Sequence, residues 1–96
     1  MASDGRRLVM TDPNQLTAPT AVAVLTHVVR SIVDDPDAVQ VDEVEGRQRI
    51  KLEVKVGPGD LGRVIGRRGR TAQSIRVLVR AAAAKDGHEV DVDFVD

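Results

Sequence analysis

The feature that most restricts the fold is a strict alternation of apolar and charged side chains in residues 50 to 56. The apolar positions are Ile50, Leu52, Val54 and Val56, and the charged positions between them are Lys51, Glu53 and Lys55. Because successive side chains of a strand point to opposite faces, this segment is predicted to be a strand with one buried face. Such a strand needs partner strands at its edges and a covering layer on its apolar side.

A helix and a second strand are predicted before this segment. Apolar residues recur at helical spacing between Pro19 and Asp34, namely Val22, Leu25, Val28, Val29, Ile32 and Val33. A short strand marked by Val39, Val41 and Val44 follows, and the Glu45-Gly46 turn predicts an antiparallel hairpin with strand 50 to 56. Residues 1 to 18 are expected to form a flexible N-terminal tail, and residues 19 to 96 a single domain.

Two helices and a last strand are predicted after it. Gly57-Pro58-Gly59 ends the strand, and a short helix is expected through Leu61, Val64 and Ile65. A longer helix runs from about Arg70 to Lys85, and a final strand follows with Val90, Val92 and Phe94 on one face. The order α-β-β-α-α-β predicts an α+β fold with a three-stranded mixed sheet covered on one face by three helices.

The composition argues against several classes of function. The chain has no cysteine, so neither a disulfide nor a thiolate metal site can form. No apolar run approaches the roughly 20 residues that span a bilayer. His27, interpreted as structural, and His88 have no partner at metal-ligand spacing. We therefore expect a cytoplasmic protein that is not an enzyme and has no cofactor, metal or small-molecule substrate.

The charges are segregated although the formal net charge is only −1. Residues 61 to 85 contain seven basic side chains and no acidic one. An acidic stretch without any basic residue lies earlier in the chain: Asp34, Asp35, Asp37, Asp42, Glu43 and Glu45. Such a field can steer an anion to one face, although a charge cluster by itself is also typical of a solvated helix face.

The segment Gly66-Arg67-Arg68-Gly69 interrupts the two predicted helices. Glycine lets the backbone approach a ligand closely, and the free N–H groups at the start of the helix at Arg70 favour an anion. Arg67 and Arg68 can each donate paired hydrogen bonds to phosphate oxygens, and Arg63 and Arg70 flank them. These features favour the phosphodiester backbone of a nucleic acid.

A second glycine-rich segment, Gly57-Pro58-Gly59-Asp60-Leu61-Gly62, fits the spacing of a dinucleotide-binding turn. That site needs a continuous helix on a parallel sheet and an acid after the next strand. Here the helix is broken at Gly66, and the next strand is the last. The Lys-Ser/Thr pair of a P-loop is absent as well, so we discard both interpretations.

The motif Val64-Ile65-Gly66-Arg67-Arg68-Gly69, with Ile75 six residues later, resembles the signature of the type II KH family of RNA-binding domains. The chain from about Leu25 to Asp96 is especially similar to KhpA, the stand-alone bacterial branch of that family. Four further segments match the branch: Val33-Asp34-Asp35-Pro36, Val44-Glu45-Gly46, Gly62-Arg63-Val64-Ile65-Gly66 and Ala81-Ala82-Ala83-Ala84-Lys85.

The resemblance implies a groove for about four single-stranded nucleotides whose backbone the glycine loop clamps. It predicts an aliphatic floor that includes Val64, Ile65, Ala72 and Ile75. The full set of residues expected to bind RNA is Arg63, Val64, Ile65, Gly66, Arg67, Arg68, Gly69, Arg70, Ala72, Ile75 and Arg76. Because Ala72 is small and the Glu45-Gly46 turn is short, we expect weak binding with broad specificity.

The resemblance also implies partners and a cellular role. Proteins similar to KhpA pair with a larger KH protein, KhpB, and the pair is linked to RNA chaperoning and to control of cell elongation and division. A homodimer is compatible with this, because Val77, Val79 and the run Ala81 to Ala84 make the last helix apolar on more than one side. The alternative is an adaptor whose basic helix docks an acidic protein and which binds little RNA alone.

Overall fold

The computed structural model describes residues 17–46 and 49–95 of the chain. Its elements follow the predicted order and are α1 (Pro19–Ile32), β1 (Gln40–Glu45), β2 (Arg49–Lys55), α2 (Leu61–Ile65), α3 (Arg70–Asp86) and β3 (Glu89–Val95). Short 3-10 turns lie at Pro36–Ala38 and Arg67–Gly69. The predicted α+β class is therefore confirmed.

The three strands form one mixed sheet in the order β1-β2-β3. β1 and β2 are antiparallel, with Glu45 opposite Ile50, and the N–H of Gly46 donates to the carbonyl of Arg49 at 2.8 Å. β2 and β3 are parallel, with Ile50 opposite Val90. Both pairings agree with the prediction, since a short turn favours a hairpin and a helical crossover favours a parallel neighbour.

The core lies between one face of the sheet and the helices. The predicted inward residues Ile50, Leu52 and Val54 are fully buried, and Leu25 of α1 and Val79 of α3 pack in the same cluster. Burial of side chains of this size stabilises the fold by about 1.5–3 kcal/mol each. The opposite face of the sheet stays open and charged. Its ion pairs join Arg49 to Glu89 and to Asp91.

The N-terminus of α1 is capped by two carboxylates from distant parts of the chain. Its N-cap residue, Ala18, has no side chain able to accept a hydrogen bond. Instead the N–H of Ala18 donates to Glu43 at 2.9 Å, and those of Thr20 and Ala21 donate to Asp86 at 3.1 and 3.0 Å. These acids satisfy N–H groups that every helix start leaves unpaired, and they complement its dipole.

The contacts of Asp86 at the start of α1 change the pKa of its carboxyl group. Burial acts to raise the pKa of its carboxyl. Hydrogen bonds from the Thr20 hydroxyl and from the N–H groups of Ala21 and Thr20, with the charge of His88, outweigh burial and lower that pKa. The lowered pKa means that the ionised carboxylate is the form that stabilises α1.

The element ends differ slightly from the predicted ones. α1 ends at Ile32 rather than near Asp34, since Val33 already has an extended backbone with φ −80° and ψ 160°, two residues before Asp35, the position that Pro36 restricts. His27, predicted to be structural, is exposed. Residues 1–16 of the predicted tail lie outside the described residues, whereas Ala18 is buried against the core, and the domain boundary stays a prediction. No helix in the described ranges is long and apolar enough to cross a membrane.

Candidate nucleic-acid interface

The glycine loop connects the end of α2 to the start of α3 through a backbone that ordinary residues avoid. Gly66 has φ +78° and ψ 172°, a region almost restricted to glycine, and Gly69 is left-handed with φ +71°. Arg68 is also left-handed, with φ 58°. The turn is closed by the N–H of Gly69, which donates to the carbonyl of Gly66 at 3.1 Å. The loop is thus a defined turn with strain stored at Arg68.

The two glycines of the loop are required for different reasons. A Cβ on Gly66 would collide with the hydroxyl oxygen of Thr71 and would lie 2.9 Å from the Thr71 backbone nitrogen. A Cβ on Gly69 would meet nothing within 4 Å. Gly66 therefore lets the chain pass close to the first turn of α3, whereas Gly69 is needed only for its positive φ.

Three arginines at the loop are available to a ligand. Arg67, Arg68 and Arg70 are exposed, and none of them forms an ion pair within residues 17–46 and 49–95. They surround the N-terminus of α3, whose first turn carries no acidic residue and no side-chain cap. The N–H of Arg70 already donates to the carbonyl of Arg67, so the dipole of α3 and the unpaired guanidinium groups are what favour a phosphate at this position.

Two other predicted arginines are already engaged within the protein. The guanidinium of Arg63 pairs with Asp34 at 2.9 Å and with Asp60 at 3.4 Å. Arg76 donates from Nε to the carbonyl of Val92 at 3.3 Å, and its guanidinium lies 5.6 Å from the centroid of the Phe94 ring. Arg76 thereby joins α3 to the edge strand β3.

The predicted apolar floor lies beneath the loop. Val64, Ala72 and Ile75 are almost completely buried, and Ile65 keeps part of its surface exposed. Their burial holds α2 and the first turns of α3 in place. Contact between these side chains and RNA bases stays a prediction.

Phe94 and Asp60 are features of this region that the sequence did not single out. Phe94 was predicted only as an inward residue of the last strand, because a contact with Arg76 across 18 positions leaves no local pattern. From the sequence, Asp60 was interpreted only as part of the start of a short helix. Among the described residues no group of three or more His, Cys, Asp or Glu side chains could hold a metal ion.

Comparison with known proteins identifies relatives of the whole domain. The family model for the KH domain of KhpA and KhpB matches residues 22–94. The RNA-binding protein KhpA of Leifsonia xyli is 57% identical over 72 residues, which cover 75% of this chain and 92% of that protein. The proteins of the same name from Caldanaerobacter subterraneus and Mycobacterium tuberculosis are 50% and 49% identical, covering 71% and 78% of this chain and 91% and 90% of the relatives.

A solved structure shows the same fold. The crystal structure of Era from Aquifex aeolicus, bound to GDP and aluminium fluoride, superposes with a TM-score of 0.59 at 17% identity. The match covers 88% of this chain, which spans only 34% of the Era chain. At that identity the likeness concerns the fold alone. The family-model match and relatives about half identical over most of their length assign the chain to the KhpA/KhpB family of KH-domain RNA-binding proteins.

Proposed function

We propose that the protein binds single-stranded RNA by gripping its backbone with the loop Gly66-Arg67-Arg68-Gly69. The grip would consist of the positive end of the α3 dipole and the guanidinium groups of Arg67, Arg68 and Arg70. About four nucleotides would then lie along a groove between α3 and β3, with Val64, Ile65, Ala72 and Ile75 beneath them and Arg76 beside them. The groove has no aromatic stacking platform apart from Phe94, which favours weak binding of many sequences.

One observation supports this proposal more than the others. Three arginines without ion pairs surround one helix N-terminus, on a turn that Gly66 allows to run against Thr71. In contrast, Arg30, Arg49 and Arg63 are each paired with a carboxylate. Lys51, Lys55, Arg80 and Lys85 also lack ion pairs among the described residues, but they are separated along β2 and α3, whereas Arg67, Arg68 and Arg70 lie within four consecutive residues. The name of the relatives says that they bind RNA.

The experiment is fluorescence anisotropy of a labelled random single-stranded RNA with the wild type and with the variant Arg67→Asp, Arg68→Asp. The matched control is Lys55→Asp, Lys85→Asp, which changes the net charge equally at two exposed positions away from the loop. Aspartate tolerates a left-handed backbone at position 68, so the loop variant should fold. Circular dichroism verifies folding of all three proteins.

We expect the wild type and the control to bind and the loop variant to lose binding. If the wild type fails to bind at low salt with about 100 μM protein, direct RNA binding by this domain is wrong. If the control loses as much affinity as the loop variant, the attraction depends on net charge and the loop is not the grip. Single-stranded DNA of the same sequence tests whether the 2′-hydroxyl matters.

The finer roles follow from the resemblance to the KhpA branch. We propose that the domain acts in the cytoplasm as an RNA chaperone beside a larger KH protein of the KhpB type, in control of cell elongation and division. No catalytic step, cofactor or metal belongs to this role. Co-purification of a tagged chain from its own host, with and without ribonuclease, would identify a KhpB-type partner and show whether RNA mediates the contact.

The second candidate is an adaptor or a homodimer, favoured by an apolar patch on α3. Val77 and Leu78 are 58% and 52% exposed, and Ala81 and Ala84 continue the same exposed side. Large exposed apolar side chains in a row mark contact surfaces, and small residues let a second helix approach. Light scattering should give a larger mass for the wild type than for Leu78→Asp, with His27→Asp on α1 as the matched control. Equal masses for all three proteins would argue against a homodimer at this patch.

A further inference from the structure

Asp60 is the one buried charged residue in the part of the chain that the structure describes, at 2% exposure. A buried carboxylate is costly unless hydrogen bonds and opposite charge compensate for the lost water. Here each oxygen accepts one backbone N–H, from Asp34 and from Asp35, both at 3.1 Å. The Nε of Arg63 lies 3.4 Å from the same carboxylate.

These contacts join two segments that are far apart in the chain. Asp34 and Asp35 follow α1, whereas Asp60 is the N-cap residue of α2. The Asp60 side chain does not cap its own helix. Its backbone carbonyl begins that helix by accepting from Arg63 at 3.0 Å, and its side chain ties the helix to the end of α1. The residue thus fixes where α2 begins.

The position of α2 decides where the loop lies. A helix of five residues has too few internal hydrogen bonds to be stable alone, so tertiary contacts must hold it. Val64 is one of these contacts and the Asp60 carboxylate is another. Gly66 follows this helix directly, and a shift of α2 would move the whole loop relative to α3.

Arg63 braces the same helix from its exposed side. Its Nη2 lies 2.9 Å from an oxygen of Asp34, so Asp60, Arg63 and Asp34 form one bracket between α2 and the end of α1. A guanidinium held by two carboxylates is poorly placed to bind phosphate as well. Arg63 was predicted to touch RNA, and its contacts indicate a different use.

We propose that Asp60 is a positioning residue for RNA binding, which together with Arg63 and Asp34 fixes the glycine loop without touching RNA. This inference rests on the proposed function of the loop. The expected change in RNA affinity is opposite to the usual one, because an acid beside an RNA site ordinarily weakens binding by repulsion. Here, removal of the acid should weaken binding.

The test is Asp60→Asn, measured by RNA anisotropy and by amide NMR signals of Gly66 and Gly69. Asparagine keeps the shape, but its NH₂ group must face one of the two N–H donors. If the carboxylate acted only through its charge, the variant would bind RNA more tightly. We expect instead about tenfold weaker binding, which follows if the loop keeps its binding geometry in about one molecule in ten, with shifted Gly66 and Gly69 signals.

The variants Ile50→Val and Ile50→Ala serve as controls for a general loss of stability. Ile50 is suitable because it is fully buried at the start of β2, away from the loop. These variants should be destabilised by about 0.5–1.5 and 2–5 kcal/mol and, while folded, should bind RNA as the wild type does. If a folded Asp60→Asn variant binds as tightly as the wild type or more tightly, the inference is wrong, and the proposed function of the loop stands.

Two further results separate the remaining cases. If the wild type binds no RNA, the proposed function fails, and unchanged Gly66 and Gly69 signals in Asp60→Asn would overturn the positioning role too. If Asp60→Asn does not fold, Asp34→Asn takes its place, because Asp34 is exposed and Asp60 is retained. About threefold weaker RNA binding is expected from the lost Arg63 contact, whereas unchanged or tighter binding would overturn the bracket.

Discussion

Alanine substitution of the two loop glycines should separate the steric need for glycine from the conformational one. Both glycines have positive φ, near +78° and +71°, so both substitutions introduce backbone strain. Only at Gly66 would the new Cβ also meet Thr71, with the backbone nitrogen 2.9 Å away. Gly66→Ala should therefore destabilise the protein more than Gly69→Ala does.

The magnitudes follow from two contributions. A left-handed alanine at position 69 costs about 1–2 kcal/mol, partly offset by about 0.4–1 kcal/mol from the stiffer unfolded chain. Gly69→Ala should thus lower the free energy of unfolding by roughly 0.5–1 kcal/mol. Gly66→Ala carries at least this strain, because φ +78° with ψ 172° is almost restricted to glycine, and adds an overpacking cost of about 1–3 kcal/mol. The difference between the variants is then about 2 kcal/mol, or roughly 8–16 °C in Tm for a domain of this size.

Urea denaturation followed by circular dichroism measures both variants under identical conditions. Equal slopes against urea concentration would show that the two transitions expose the same surface. The double variant Gly66→Ala, Thr71→Gly removes the Thr71 side chain and should recover part of the lost stability, although glycine in the first turn of α3 has its own cost of about 1 kcal/mol. If Gly66→Ala is no less stable than Gly69→Ala, the close approach of the loop to α3 is not a feature of the folded protein.

Three other predictions concern the loop and the capping of α1. Arg68→Gly should raise the free energy of unfolding by about 0.5 kcal/mol, since it removes left-handed strain, and should still weaken RNA binding; lower stability in a melt would contradict the strain. A plot of the logarithm of the RNA affinity against the logarithm of salt concentration should have a slope near −2, since three arginines contribute about −0.7 each on a single strand, and a slope near −1.4 in Arg67→Ala, which retains two of them. Asp86→Asn should destabilise the protein by about 1 kcal/mol at neutral pH. Because the folded pKa of Asp86 is lowered, its contribution is present above the unfolded value of 3.8 and is lost as the pH falls through the folded value, so urea midpoints of the two proteins should converge in acid.

The sequence predicted the fold well because its main signals are local or periodic. Alternation in residues 50 to 56 identified β2 and its buried face, and the short turn at Glu45-Gly46 identified the antiparallel pair. The helical crossover indicated a parallel β3. These inferences need only the side-chain period, the length of the turn and the presence of helices between two strands, each of which is visible in the linear sequence.

The candidate site was predicted less completely because its contacts join residues that are far apart in the sequence. The loop was located by its glycines, but the sequence could not show that two arginines near it, Arg63 and Arg76, are already bound within the protein, whereas Arg67, Arg68 and Arg70 are not. Arg63 is paired with Asp34, 29 residues earlier, and Arg76 bonds to Val92, 16 residues later. A charge pattern reports which residues are basic, but pairing depends on the tertiary fold, which brings these segments together.

The same distinction changes the meaning of the acidic stretch between Asp34 and Glu45. From the sequence it was a segregated negative field opposed to the basic segment. In the fold, Asp34 pairs with Arg63, Asp37 lies 3.7 Å from Arg30, and Glu43 caps the start of α1. The charges of Asp34, Asp37 and Glu43 are therefore partly compensated where they lie, so the stretch contributes less to steering than its number of acids suggests.

Three acidic side chains of the fold have the same role, which is to accept backbone N–H groups from a distant segment. Glu43, Asp60 and Asp86 each accept backbone N–H groups from a segment at least 25 residues away. Two of them complete the N-terminus of α1, which lacks a capping side chain of its own, and the third ties α2 to the end of α1. The N-terminus of α3 is different, because it has neither a local cap nor a distant carboxylate among the described residues. The fold thus brings carboxylates to the start of α1 and to the segment behind the loop. The start of α3 has only arginines around it, and it is therefore suited to bind an anion from outside the protein.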